Sequence, residues 1–352
     1  TVSSYGVTII EKEALIEGEK EGKIQITCDG ETYSVKYSLG CTGPDTVIPP
    51  IPGLSGVSYW TSKEALEIKE LPKTLVIIGG GVIGMEFASF FTSLGVQVTV
   101  VEMLDEILGG MDKELSAMLR AEYAKKGIKF LLSTKVVEVS KGETGITVSY
   151  ENADGAGTVT ADKLLMSVGR RPVTKGFGLE NLNLEWTERR CIKVDEHLQS
   201  SVPGVYVCGD LNGVSLLAHT AVREAEVAVH HITGKEDAMS YRAIPGVVYT
   251  NPEIAGVGMS EEALQAAGIP YRAVKLPMAY SGRFVAENEG VNGVCKVLAA
   301  EDGTVLGAHM LGNPASELIV LAGMAIEDGK TIEDWKRYVF PHPTVGEIFR
   351  EL

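Results

Sequence analysis

The stretch LVIIGGGVIG, Leu75 to Gly84, constrains this chain more than any other. Four apolar residues with the composition of a buried parallel strand run directly into Gly79-x-Gly81-x-x-Gly84, and a helix is expected to open at Gly84. The next strand, Val98–Val101, ends on an acid, Glu102. Strand, glycine turn, helix and strand make a βαβ unit. Gly79 permits the tight turn, Gly81 lets a pyrophosphate approach the backbone, and Gly84 lets the helix pack on the strand. A phosphate would then rest on the helix N-terminus, where unpaired N–H groups and the dipole favour negative charge. A carboxylate at Glu102 accepts from a ribose diol and repels a 2′-phosphate. The next arginine is a helix away, at Arg120, so NAD is expected rather than NADP. FAD uses the same fingerprint, and a plain αβ turn with chance glycines is the bland alternative.

The chain has 352 residues, enough for two or three domains. Its net charge of −15 argues against nucleic acid or an anionic membrane as partner, because both reward basic patches. No apolar run reaches the roughly 18 residues of a membrane span. The five cysteines, Cys28, Cys41, Cys191, Cys208 and Cys295, show no close spacing. Each is expected to be a buried small hydrophobe, with no zinc site and no local redox pair. Scattered thiols suit a reducing interior, the cytoplasm or, in a eukaryote, the mitochondrial matrix.

Residue 1 is Thr, and Val7–Ile10 already reads as a strand, so the chain is expected to begin inside a fold, as a fragment. Further strands are expected at Lys23–Cys28 and Thr32–Leu39, then a proline-stiffened linker, Ile48–Gly53. An amphipathic helix (Lys113–Lys126) follows the βαβ unit. A second glycine-punctuated strand, GVYVCGD (204–210), precedes a helix at Ala218–Ile232. Residues 245–310 read as antiparallel strands with one helix near Glu261–Ala267. Helices near Ala315–Asp328 and Ile332–Arg337 close the chain. The pattern is the tail of one nucleotide domain, a complete second one, a return segment and an α+β module.

Gly209 allows close backbone approach, and Asp210 could accept from a ribose hydroxyl; a local helix cap is the competing reading. Two nucleotide-binding elements suggest hydride relay between NAD and a flavin. No second glycine triplet lies upstream. At the other end, FPHPTVGEIF (340–349) holds His342 between prolines, five residues before Glu347. Thr344 and Glu347 fit a capping box. His342 and Glu347 also fit an imidazole oriented by a carboxylate for proton transfer.

Taken in order, GGGVIGMEFASFF, VTVVEMLDEILGGMDKE, SVGRRP, GVYVCGD, LLAHTA, IPGVVYTNPEIAGVG and HPTVGE resemble the pyridine nucleotide–disulfide oxidoreductase family over nearly the whole chain. The resemblance implies an α/β fold with a Rossmann-like NAD domain, remnants of an FAD domain and an α+β dimerisation domain. The implied segments are 1–53 (FAD remnant), 54–172 (NAD), 173–240 (central return) and 241–352 (interface). It implies that Gly79, Gly80, Gly81, Val82, Ile83, Gly84, Met85 and Glu86 cradle NAD, with Glu86 near the nicotinamide and Glu102 on the ribose. Val136 and Gly169 would complete that site. Asp210, Leu216, Leu217, Ala218 and His219 would touch FAD, with Thr42 and Gly43 along it. His342 would be the acid–base residue serving a homodimer partner's dithiol, oriented by Glu347. Lipoamide, on the carrier domain of a 2-oxo-acid dehydrogenase complex, is the implied substrate. The alternatives are a related NAD(P)H-dependent disulfide reductase and a non-catalytic NAD-binding and dimerisation fragment. The family's flavin loop and C-x-x-x-x-C disulfide would precede Thr1. Arg223 stands where an acid is common, and Val339-Phe340-Pro341 lacks a histidine that some members carry.

Overall fold

The computed structural model describes residues 2–352; Thr1, the first residue of the expected FAD remnant, lies outside the described residues. The chain forms two compact units, each built from two stretches of sequence: residues 1–45 with 170–240, and residues 46–169 with 241–352.

In the first unit, Ala14–Lys20, Lys23–Cys28 and Glu31–Val35 make an antiparallel sheet. Ser38–Gly40 pairs in parallel with Val205–Val207. Alternation along that last strand buries both of its faces. Val205 and Val207 pack with Ile24, Leu179 and Leu211. Tyr206 and Cys208 pack with Val227 and Ala228 of the helix Ala218–Ile232. The expected strand Val7–Ile10 is irregular, with Val7, Ile9 and Ile10 all exposed. β-branched residues favour a strand only where a neighbour pairs with it. The expected strand Thr32–Leu39 is two strands, because the chain bends at Lys36–Tyr37 between its antiparallel and parallel partners.

The second unit opens with a four-stranded parallel sheet in the order Lys163–Met166, Thr74–Ile78, Gln97–Val101, Lys129–Leu131. Leu75 and Ile77 face the helices Val82–Ser93 and Lys113–Lys125, through Met85, Ala88, Leu115 and Leu119. Val76 and Ile78 face Val139, Val148 and Ala161 of an antiparallel three-stranded layer. The strand Thr74–Ile78 is therefore buried on both faces, which is why it reads as an unbroken apolar run. Residues 246–311 form a five-stranded antiparallel sheet. The helix Ala315–Glu327 covers it with Ala315, Ile319, Ala322 and Ile326, one helical face. A second short helix in this region, Gly282–Glu287, was not expected.

One buried ion cluster ties these layers. Lys296, 1% exposed on the strand Val294–Ala299, places Nζ 2.7 Å from Asp112 and 3.2 Å from Glu114, and pairs also with Glu261. Asp112 caps the helix Lys113–Lys125, accepting from Leu115 N–H at 3.1 Å. Glu261 lies in the first turn of the helix Glu261–Ala267. One ammonium thus joins carboxylates at two helix N-termini, where negative charge is favoured. Burial works against the charge on Lys296, but Asp112 and Glu261 hold its pKa above the usual lysine value. Removing one partner of a buried pair strands the others. Lys296→Met is expected to cost about 3–5 kcal/mol, read as a lower urea midpoint; an unchanged midpoint would remove the cluster from the stability account.

Candidate functional site

The glycine turn sits at the carboxyl end of the central parallel strand, where α/β sheets take their ligands. Gly79 has φ +106°. A Cβ there would lie 2.5 Å from the carbonyl oxygen of Ser167, and one on Gly84 would lie 2.0 Å from the carbonyl oxygen of Gly79. Gly81 differs: its backbone is extended, and a Cβ would meet nothing within 4 Å. Gly79 and Gly84 are therefore glycine for internal packing, and Gly81 keeps the open side bare. The helix begins at Val82, two residues before the expected start, because Gly81 takes the N-cap position. No side chain caps it, so the first-turn N–H groups point to the open end of the sheet.

Glu102 accepts hydrogen bonds from the N–H of Gly80 at 2.6 Å and of Leu104 at 2.8 Å. Its carboxylate is thereby fixed against the glycine turn. Glu86, one turn into the helix, accepts from Tyr249 N–H at 2.9 Å. Gly169 lies exposed after the strand Lys163–Met166, with φ +126°. Val136 packs beside Ile78 and Val101. Met85 is wholly buried in the core, so only its backbone belongs to the turn. Ser167, not singled out from sequence, donates its hydroxyl to the carbonyls of Gly79 at 2.9 Å and Ile78 at 3.1 Å. Its position just past an apolar strand, level with the glycine turn, was the available signal.

In the first unit, Thr42 donates its hydroxyl to Val173 O at 2.8 Å, and Gly43, at φ +68°, has open space where a side chain would stand. Asp210 lies in the turn Gly209–Leu211. Burial pushes its carboxyl above the ordinary aspartate range, against the pull of Arg170. Leu216, Ala218 and His219 are exposed around the start of the helix, whose N-cap, Leu217, offers no side-chain cap. Arg223 pairs bidentately with Asp237 at 2.8 and 2.6 Å, so it is held within the unit.

At the C-terminus, both readings of Glu347 hold together. His342 Nδ1 lies 2.9 Å from Glu347 Oε1, and Glu347 Oε2 accepts from Thr344 N–H at 2.8 Å. The Thr344 hydroxyl donates to Pro341 O at 2.8 Å, so the cap rests on the glutamate arm. The Thr344 N–H and then His342 hold the Glu347 carboxyl below the usual glutamate value. His342 is 83% exposed in the single chain, and Glu347 25%. Beside it, Leu318, Leu321, Met324, Tyr338, Val339 and Phe340 line an apolar groove, with Val339 92% exposed.

A family profile described as pyridine nucleotide-disulphide oxidoreductase matches residues 2–225, and the dimerisation domain of the same family matches residues 244–352. The chain belongs to the pyridine nucleotide-disulphide oxidoreductase family. A dihydrolipoyl dehydrogenase from Thermus scotoductus is 39% identical, over 94% of this chain and 72% of that protein. One from Geobacillus stearothermophilus is 36% identical, over 98% and 73%. The mitochondrial dihydrolipoyl dehydrogenase of Sus scrofa is 39% identical, over 95% and 67%. Among solved structures, LpdA from Mycobacterium tuberculosis superimposes with a TM-score of 0.90 at 27% identity, over 99% of this chain and 77% of that one. The flavoprotein disulfide reductase RclA of Escherichia coli gives 0.87 at 26%, over 98% and 78%. The family works with FAD and NAD, and its dimerisation domain marks a homodimer. No helix among the described residues is long and apolar enough to cross a membrane.

The close approaches separate the glycines by role. Gly84→Ala must push apart two backbone segments and is expected to lose roughly 1–3 kcal/mol. Gly81→Ala meets open space and should stay within about 1 kcal/mol of the parent. Thermal unfolding of both variants checks this; equal losses would mean that Gly81 is also a packing glycine.

Proposed function

We propose that this chain carries the NAD seat, the pairing surface and the proton-transfer residues of a dihydrolipoyl dehydrogenase. The observation behind it is the exposed imidazole of His342, held by a carboxylate that is itself pinned to a backbone N–H. Residues 54–172 serve as the NAD segment, 1–53 and 173–240 as the flavin-holding part, and 241–352 as the interface segment.

The residues present fit a dinucleotide. Gly79 and Gly84 close the turn, Gly81 leaves its outer side bare for a pyrophosphate, and Glu102 is placed for a ribose diol. Gly80, Val82 and Ile83 line the turn, Glu86 stands toward the nicotinamide, and Val136 and Gly169 complete the site. For FAD, the fitting residues are Thr42, Gly43, Asp210 and the segment Leu216–His219: a left-handed glycine, a carboxyl and an uncapped helix start. FAD, when bound, supplies the two-electron carrier between dithiol and nicotinamide.

In the net reaction a dihydrolipoyl dithiol becomes a disulfide. NAD gains two electrons and one proton as hydride, and the second proton is released. His342 is the group that takes a thiol proton. With Nδ1–H donating to Glu347, the free lone pair is on Nε2, pointing outward as the base. Glu347, its carboxyl held below the usual glutamate value, stabilises the imidazolium that forms. A thiol with pKa near 8.5 is mostly protonated at neutral pH, and only the thiolate is the nucleophile. The apolar groove beside His342 suits a second copy of the chain, which would bring its dithiol to this imidazole. A lipoyl carrier domain of a 2-oxo-acid dehydrogenase complex is the proposed donor. Five free thiols suit a reducing compartment, the cytoplasm or the mitochondrial matrix.

In the FAD-loaded dimer, His342→Gln is expected to lower dihydrolipoamide-dependent NAD reduction by about 10²–10⁴, with NADH affinity unchanged. Steady-state kinetics and NADH titration check it. Equal loss of both would make His342 a structural residue.

A further inference from the structure

Cys41 and Cys208 lie far apart in sequence and next to each other in the first unit. Ser38–Gly40 and Val205–Val207 pair in parallel with Gly40 opposite Val207. The following residues, Cys41 and Cys208, continue that register, and Cys208 N–H donates to Gly40 O at 3.1 Å. Neighbouring strands stand about 4.8 Å apart, within the roughly 4.4–6.8 Å between Cα atoms that a disulfide spans. Cys41 is exposed and Cys208 is 2% exposed. An open thiol backed by a buried one is the arrangement of an attacking and a resolving cysteine.

We propose that Cys41 and Cys208 form an oxidisable dithiol that takes a small hydroperoxide and closes to a disulfide between the two strands. The first step is attack of the Cys41 thiolate on the peroxide. Its S–O bond forms as the O–O bond breaks, giving Cys41 sulfenic acid and hydroxide. In the second step the Cys208 sulfur attacks the Cys41 sulfur. The S–S bond forms, the S–O bond breaks, and the Cys208 proton leaves with the oxygen as water. The two thiols lose two electrons, and the peroxide gains them.

The acidities divide the roles the same way. The neighbouring Cys208 thiol lowers the Cys41 pKa to about 7 despite partial burial, which favours the thiolate. Cys41 in turn and then burial push Cys208 up, and the carboxylate of Glu224 opposes ionisation of both. Cys295, by contrast, is wholly buried with its pKa pushed up to about 12. It is the built-in unreactive control. The disulfide would join the residues immediately before Thr42 and Gly209, beside the proposed flavin contacts, but its formation needs only the two sulfurs.

The test treats the purified protein with hydrogen peroxide, alkylates it under denaturation and maps the peptides by mass. A crosslinked peptide containing Cys41 and Cys208, lighter by two hydrogen atoms, is expected. Cys41 should react about tenfold or more faster than Cys295. In Cys208→Ser, Cys41 should be trapped as a dimedone adduct, and in Cys41→Ser, Cys208 should remain a thiol. The parent protein alone decides the matter if a variant fails to fold. Absence of the crosslink, or oxidation of Cys41 no faster than Cys295, would overturn the proposal. Because the readout is a peptide mass, failure of the flavin reading leaves it intact.

Discussion

Two backbone segments pass at a distance that admits no side chain, and the second unit is organised around that approach. The carbonyl of Gly79 fills the space a Cβ on Gly84 would need, and Ser167 closes over both from the neighbouring strand. This packing sets the helix Val82–Ser93 against its strand and leaves its first N–H groups facing outward. It also brings the carboxylate of Glu102 to the Gly80 N–H. The proposed seat for a dinucleotide is thus a consequence of how strand and helix must meet, rather than a feature added to a finished fold.

The other end of the chain uses one carboxylate twice. Glu347 satisfies the Thr344 N–H at a helical turn and orients the His342 ring. A helix cap alone would leave the imidazole free to rotate; an imidazole partner alone would leave the glutamate loosely held. Joining them fixes the ring on an exposed segment. The neighbouring apolar groove is the proposed seat of a second chain, which would exclude water there.

Much of this was legible in residue order, because glycine spacing and apolar periodicity are local. The βαβ unit, the helix Ala218–Ile232 and the antiparallel C-terminal sheet follow from patterns within a few tens of residues. The His342–Glu347 pair follows from a five-residue spacing. What was not legible depends on distant partners. Val7–Ile10 has the composition of a strand but forms none. Lys296 reads as an ordinary strand lysine until the fold delivers Asp112 and Glu261 to it. Cys41, expected to be buried and unremarkable, is exposed beside Cys208, because strand register and not sequence spacing brings the sulfurs together.

The account rests on a dinucleotide seat shaped by close-packed glycines and keyed by one carboxylate. Paired fluorescence titrations with NADH and NADPH, on the parent and on Glu102→Ala, test that most directly. The account predicts one saturable NADH site per chain, with NADPH at least about tenfold weaker (roughly 1.4 kcal/mol) and the preference reduced in the variant. Equal affinity for the two dinucleotides, or a preference untouched by the loss of Glu102, would contradict it.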